Sequence, residues 1–343
     1  MKDTIIVKIT DKNDVRLNTL GKILRDGGLV SFPTETVYGL GASAFDENAA
    51  FKVFEAKGRP SDNPLIVHLS DISQLETVAR EIPDIAYKLF EKFSPGPLTV
   101  ILKKKETIPD AVTAGLDTVA VRIPSHPIAR ALIDAAGVPV AAPSSNLSGK
   151  PSPTKAEHVI ADMNGRIDAI IDGGSCSVGV ESTVVELSAG RVNILRPGGI
   201  TKADLMNVIN EVTVDRHVTE QVAEGETPKS PGMKYKHYAP DAEVTVIVGD
   251  KEKTAAKIKD YLTNENNIAC GVMCYDGFAF DAETVLYTGD DNKSYAERLF
   301  DSLRQFDALG IKKVYAQFEE DEEFGLAVRN RLFKAAGGRV IYI

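Results

Sequence analysis

Three cysteines in 343 residues, Cys176, Cys270 and Cys274, are too few and too unevenly spaced for a disulfide framework, and no histidine cluster accompanies them to complete a zinc site. They are expected as buried free thiols, with no metal held by the protein. No uninterrupted apolar run approaches the ~18 residues of a membrane span. The opening MKDTIIVKIT has no apolar stretch of signal-peptide length after its basic residue, so a cytoplasmic location without a membrane partner is expected. Also missing are a GxxxxGK[ST] phosphate loop, a GxGxxG fingerprint after a strand, an HExxH helix and a nucleophile elbow. A nucleotide would therefore need another kind of cradle. Basic charge is scarce at the C-terminal end: from Asp241 onward there are 19 acidic and 13 basic residues, against 30 and 27 upstream. A phosphate-backbone surface needs clustered Lys and Arg, so the last third is excluded as one.

What the chain does have is the composition of a globular protein, 43% hydrophobic and 26% charged, enough for two cores. Strand-like apolar runs alternate with helix-period segments: TIIVKI, a helix from Val15 to Asp26 stopped by Gly27 and Gly28, then the strand LVSFP. Further strands are predicted at Leu65–Leu69, Leu98–Leu102, Val119–Ile123, Val138–Ala141, Ala169–Ile171, Val184–Leu187 and Val192–Leu195. Helices are predicted at Glu47–Lys57, with Asp46 as N-cap, and at Pro83–Phe93, Pro127–Ala136 and Lys155–Met163. Periodicity is lost from about Val212 to Pro240, a stretch rich in proline and glycine that reads as an extended connection. Beyond it, strands EVTVIV, IACGVMC, KKVYAQF and RVIYI alternate with helices at Glu252–Glu265, Ser294–Leu309 and Leu326–Ala336, as in a small βαβ sheet. The pattern predicts a first α/β domain over 1–211, a connection over 212–240 and a smaller Rossmann-like α/β domain over 241–343.

Chemistry concentrates in three stretches. In AKGRPSDNPLIVHL, Lys57 and Arg59 flank Gly58 just before Pro60, which drives the preceding residue out of the helical region. Two cations on a turn suit a polyphosphate, the arginine as a planar fork and the lysine as a movable point charge. The same pair also serves as an ordinary C-terminal helix cap. VAVRIPSHP followed by VPVAAPSSNLSGKPSPT places Arg122 at a strand end and the short polar groups of Ser144, Ser145, Asn146 and Ser148 in a loop, with Gly149 allowing close approach to the backbone. Such a loop binds a nucleotide or merely turns. GVESTVVEL leading into ILRPGG sets Ser182, Thr183 and Arg196 at strand edges. His68, alone in PLIVHLS, fits a structural role or a base.

Read together, FPTETVYGLG, KGRPSDNPLIVH, SPGPLTVIL, VAVRIPSHP, APSSNLSGKPSPT, GVESTVV, ILRPGGI and SPGMKYKHYAP resemble, in order, the YrdC-like family of threonylcarbamoyl-AMP synthases in its longer two-domain form. The resemblance spans nearly every block of the first 240 residues; beyond them only a Rossmann-like pattern is shared. It implies a twisted open mixed sheet flanked by helices, with threonine and ATP side by side in a positively lined cleft. By the same resemblance Thr36, His68, Arg122, Ala142 and Ser182 surround the threonine, with Arg122 facing its carboxylate. Lys57, Arg59, Asn63, Thr118, Ser144, Asn146, Ser152, Arg196 and Tyr235 hold the nucleotide, Lys57 and Arg59 being the catalytic pair.

The implied reaction joins L-threonine, bicarbonate and ATP, the ATP carrying Mg2+, into an activated adenylate. Downstream threonylcarbamoyl transferase proteins then use this adenylate on a tRNA adenosine, so tRNA is met indirectly. No protein nucleophile is needed, and charge neutralisation with positioning is expected to dominate. Lys234, Tyr235 and His237 in SPGMKYKHYAP suit a lid over the nucleotide, since water destroys a mixed anhydride, and equally suit a solvated spacer. Two rivals are an RNA-binding module without catalysis and a carbamoyltransferase. The first lacks a Lys/Arg stripe and RNA-stacking motifs; the second lacks zinc-finger cysteine pairs.

Overall fold

The computed structural model describes residues 2–188, 190–218, 238–264 and 269–343. These separate into two compact units, one drawn from 2–148, 153–177 and 181–218, the other from 149–152, 178–180 and 238–343.

The first unit contains strands β1 (Ile5–Lys8), β2 (Val30–Phe32), β3 (Gly39–Ser43), β4 (Ile66–His68), β5 (Ala79–Arg80), β6 (Leu98–Lys104), β7 (Thr118–Arg122), β8 (Val140–Ala142), β9 (Ala169–Asp172), β10 (Thr183–Ser188), β11 (Arg191–Arg196) and β12 (Val212–Val214). Its helices are α1 (Arg16–Arg25), α2 (Glu47–Lys57), α3 (Leu75–Val78), α4 (Asp84–Phe93), α5 (Asp110–Thr113), α6 (Pro127–Ala136), α7 (Ala156–Met163) and α8 (Lys202–Met206). The strands make one mixed sheet in the order β1-β9-β2-β3-β8-β4-β7-β6-β10-β11-β12, with β5 on β6. This is the mixed α/β architecture expected.

Apolar side chains from alternate positions of β4, β7, β6 and β10 (Val67, Val121, Val100, Val185) enter the main core with Leu89 and Phe90 of α4. A second core joins α1 and α6 to β2, β8 and β9. At Gly21 of α1 the helices approach so closely that an added Cβ would lie 2.5 Å from the Ala135 carbonyl carbon.

Helix α2 shows how sequence aims a site. The Asp46 carboxylate accepts from the Asn48 and Ala49 amides, capping the start. The end is set by Gly58 in the left-handed conformation, φ +62°, with the Arg59 amide turned back to the Phe54 carbonyl. Gly58, more than Pro60, is therefore what stops the helix between the two cations.

One expectation needs correction. Residues 212–218 are not part of an irregular connection: Val212–Val214 pair in parallel with Val192–Ile194, and Arg216–Val218 form a 3-10 turn. The β-branched Val-Thr-Val favours the edge of a sheet, a preference outweighed in the sequence by the prolines and glycines further on. Strand β3 was also unmarked, because GLGAS has no β-branched residue.

The second unit is a parallel sheet in the order β15-β14-β16-β13-β17, from β13 (Glu243–Val248), β14 (Cys270–Cys274), β15 (Thr284–Tyr287), β16 (Lys313–Phe318) and β17 (Val340–Tyr342). Helices α9 (Lys251–Asn264), α10 (Asn292–Ala308) and α11 (Gly325–Ala336) connect it. Cys270 and Cys274 are buried, as Cys176 is in the first unit. Among the described residues no helix is long and apolar enough to cross a membrane.

The two glycines fail differently when changed. Gly58→Ala meets open space but a left-handed backbone, and should lower stability by about 1 kcal/mol. Gly21→Ala gains helix propensity but strikes a backbone, and should lower it by about 1–3 kcal/mol. Urea unfolding of each variant checks this; an unchanged midpoint in either would contradict the corresponding reading.

Candidate functional site

Cross-strand register collects the site. His68 ends β4 opposite Arg122, which ends β7, and Arg122 in turn lies opposite Thr99 of β6. Side chains two positions along a strand share a face, so Ile66, Ala120 and Ile101 lie on this side too. With Val184 and Leu195 they form a small apolar cluster, separate from the main core. Ala142, opposite Ile66, stands beside it. Polar groups from three strands are thus brought to one apolar floor.

At the centre is Arg122, almost fully buried. Its Nη1 donates to the Thr36 hydroxyl at 3.0 Å, and Nη2 lies 2.7 Å from Oε1 of Glu35, itself buried. That ionic contact lies off the hydrogen-bond axis, so Nε and Nη2 of Arg122 and Oε1 of Glu35 have no hydrogen-bond partner among the described residues. The other oxygen, Oε2, accepts from the Ser125 amide at 3.1 Å. Thr34 and Thr36 share a hydrogen bond of 2.9 Å, and Thr34 donates to the Val37 carbonyl, which fixes the turn carrying Glu35 and Thr36. A buried guanidinium with unmet donors is unfavourable unless a ligand engages it, and a carboxylate fits two of its donors at once.

Buried in the same row, His68 has its ring pKa pushed down to about 3, by burial first and by Arg122 second, against the pull of the Ile66 and Val140 carbonyls. Its Nδ1 lies 3.0 Å from the Ile66 carbonyl, which fixes the proton on that nitrogen. Burial likewise lowers the His126 pKa, opposed by Glu35. Ser182, fully buried, shares a hydrogen bond of 2.8 Å with Thr99. Arg196 clamps it from the side, donating through Nε and Nη2 to the Ser182 carbonyl and through Nη2 to its hydroxyl.

The second group forms where α2 meets the loop after β8. The Lys57 ammonium, buried, donates to the carbonyls of Ser144 (2.5 Å) and Asn146 (2.6 Å), while the Ser148 amide returns a bond to the Lys57 carbonyl. The Ser144 hydroxyl donates to Asn146 Oδ1 at 2.6 Å. A bridge from Gly39 to Ser144, and the Ser145 amide on the Tyr38 carbonyl, tie this loop to the turn bearing Glu35 and Thr36. Arg59 donates to the Asn63 carbonyl at 2.8 Å and lies over the Phe54 ring. The fully buried Asn63 amide has neither its oxygen nor its nitrogen matched among the described residues.

Most of the expected residues therefore converge in two linked groups within the first unit. Thr118 heads β7, opposite Lys103, about 13 Å of strand away from Arg122. Ser152 belongs to the second unit. Lys234, Tyr235 and His237 lie outside the described residues. Sequence reading passed over Glu35 and Thr99. The available signal for Glu35 was a lone carboxylate inside the otherwise uncharged FPTETVYGLG.

The first unit is thus a mixed α/β module with a buried guanidinium on one face of its sheet. Residues 22–198 match the Sua5, YciO and YrdC family, described as Telomere recombination, and residues 200–337 match the family described as Threonylcarbamoyl-AMP synthase, C-terminal domain. The chain belongs to the threonylcarbamoyl-AMP synthase family. It is 46% identical to the threonylcarbamoyl-AMP synthase of Pyrococcus abyssi (strain GE5 / Orsay), over 99% of this chain and 100% of that one. With the Bacillus subtilis (strain 168) protein of the same name it is 47% identical, over 98% of each. A crystal structure of Pyrococcus abyssi Sua5 complexed with L-threonine superimposes with a TM-score of 0.94 at 46% identity, covering 99% of this chain and 100% of that chain.

The buried, neutral His68 has a measurable consequence. Below about pH 6.5 the unfolded chain takes up a proton that folded His68 refuses until about pH 3, so stability is complete above that window and falls as pH drops through it. The loss is at most about 1.4 kcal/mol per pH unit for one group. Urea unfolding from pH 7 to pH 4 should show a decline in the parent chain that His68→Gln makes shallower. Equal slopes would mean that His68 is charged in the folded state.

Proposed function

We propose that this enzyme makes threonylcarbamoyl-AMP and pyrophosphate from L-threonine, bicarbonate and ATP, its product serving a transferase that modifies a tRNA adenosine. The observation that carries the reading is Arg122: a buried guanidinium with unmet donors, on one sheet face with His68 and Thr99 and hydrogen-bonded to Thr36. Its free edge suits the threonine carboxylate. Thr36, His68, Ala142 and Ser182 enclose the rest of the amino acid.

Threonine's amine captures bicarbonate as a carbamate with loss of water. A carbamate oxygen then attacks the α-phosphorus of ATP, and pyrophosphate leaves. ATP is received by Arg59, Asn63, Ser144, Asn146 and Arg196, with Thr118 and Ser152 also assigned to it. The unmatched Asn63 amide offers both a donor and an acceptor to a base or ribose. Magnesium enters as part of the nucleotide substrate.

Lys57 takes a double part. With its protons engaged by the Ser144 and Asn146 carbonyls it shapes the loop and supplies fixed positive charge beside it. The neutral His68 makes proton transfer a minor contributor, leaving orientation and charge as the main ones.

The full chain incubated with labelled bicarbonate, threonine and ATP should form a labelled adenylate and release pyrophosphate only when all three are present; no threonine dependence would refute the reading. Arg59→Ala should lower turnover by about 10²-fold with an unchanged melting temperature. Lys57→Met should lower turnover by a similar factor and stability by about 1–3 kcal/mol, because two buried carbonyls lose their donor. A Lys57→Met protein as stable as the parent would contradict the clamp.

A further inference from the structure

We propose that Glu35 is the specificity-determining residue of the amino-acid subsite: by aligning and neutralising Arg122 it makes that subsite accept a zwitterionic α-amino acid and turn away a bare carboxylate. The inference rests on the proposed threonine site and extends it to a residue outside the expected set.

Three observations carry it. Glu35 and Arg122 are both buried, with Oε1 2.7 Å from Nη2. The pair is braced at both ends, the carboxylate by the Ser125 amide at 3.1 Å and the guanidinium by the Thr36 hydroxyl at 3.0 Å. Beyond that ion pair, Nε and Nη2 on the arginine and Oε1 on the glutamate make no hydrogen bond among the described residues. Donors thus stand beside an acceptor, which is the complement of an α-amino acid with its carboxylate and ammonium joined through one carbon.

Electrostatics then select the ligand. Burial and Arg122 lower the His68 pKa, burial lowers that of His126, and burial and Glu35 raise that of the Cys176 thiol, so these three neighbours are held towards their uncharged forms. Glu35 and Arg122 themselves offset each other's charge. A monoanion entering the subsite would bring an uncompensated charge out of water, whereas a zwitterion, itself neutral, places each end against its opposite. Glu35 touches the ammonium and also acts through Arg122, whose plane it holds.

The test compares L-threonine with 3-hydroxybutanoate, the same skeleton without the ammonium, by calorimetry on the full chain and on Glu35→Gln. The parent should bind L-threonine at least about tenfold tighter than 3-hydroxybutanoate, and Glu35→Gln should reduce that preference at least about tenfold by weakening threonine and relieving the monoanion. ATP binding should stay near its parental value while the melting temperature falls, because Arg122 loses its buried counter-charge; a merely structural role would not move the ratio of the two ligands. An unchanged ratio in folded Glu35→Gln overturns the proposal. Should that variant not fold, Glu35→Asp decides: weaker threonine with the ammonium preference retained supports it, and parental affinity overturns it. Threonine-dependent pyrophosphate release by the parent is measured on the same preparation. Its absence is a failure of the synthase reading, while normal release with an unmoved ratio is a failure of Glu35 alone.

Discussion

A cation taken out of water must be met by a counter-charge or by enough oriented oxygens, and the first unit does this at Arg122 and again at Lys57. Arg122 is met by Glu35 and Thr36, both from the turn after β2. Lys57 is met by two carbonyls of the loop after β8. Because the turn and the loop are bonded to each other through Gly39 and Ser144, the two buried cations belong to one constrained assembly. Segments more than a hundred residues apart in sequence are held in register by the need to solvate two charges without water. Stability and function are coupled there: the same oxygens that make burial tolerable fix where the remaining donors point.

The sheet supplies the second constraint. Alternate residues of β4, β7, β6 and β10 are valines and leucines that enter the main core, and this leaves the intervening positions free to differ. Some of those are small or apolar and make a floor; those at the strand ends are His68, Arg122 and Thr99. A slip of one residue in β7 would send Arg122 into the core and Val121 onto the floor, at a penalty the fold could not absorb. Register, fixed by hydrophobic burial, therefore aims the polar groups with no further device.

Much of this was legible in the sequence. The apolar runs located the central strands, Asp46 was readable as an N-cap, and the order of motifs pointed to the family. Less legible was anything that depends on pairing. Lys57 is one case: a Lys-Gly-Arg turn at a helix end looks the same whether or not its ammonium also reaches a loop 87 residues away. Glu35 was passed over because a carboxylate beside hydroxyls in a turn resembles ordinary turn chemistry until its partner from β7 is in view. β3 escaped because GLGAS is small for a reason external to itself: an added Cβ at Gly41 would meet Val140 and Phe32 at under 3 Å. β12 escaped because three residues at a sheet edge carry too little pattern to stand out before a long irregular stretch.

The titration behaviour around Arg122 bears on how such a site accelerates a reaction. His68 and His126 are driven towards the neutral form and the Cys176 thiol is kept protonated, all chiefly by burial. The charged form of each of these three groups is thereby disfavoured. What the site offers in exchange is fixed charge and fixed geometry: a guanidinium braced by two oxygens, hydroxyls of Thr99 and Ser182 locked to each other, and a loop clamped from beneath. Groups already oriented before substrate arrives do not have to reorganise as charge shifts, and in a buried setting each contributes more than it would in water. Joining two anions at a phosphorus needs this kind of help more than it needs a base. The burial that silences the histidines and the burial that sharpens the cations are then one design feature, and a change that admitted water would weaken the second as it restored the first.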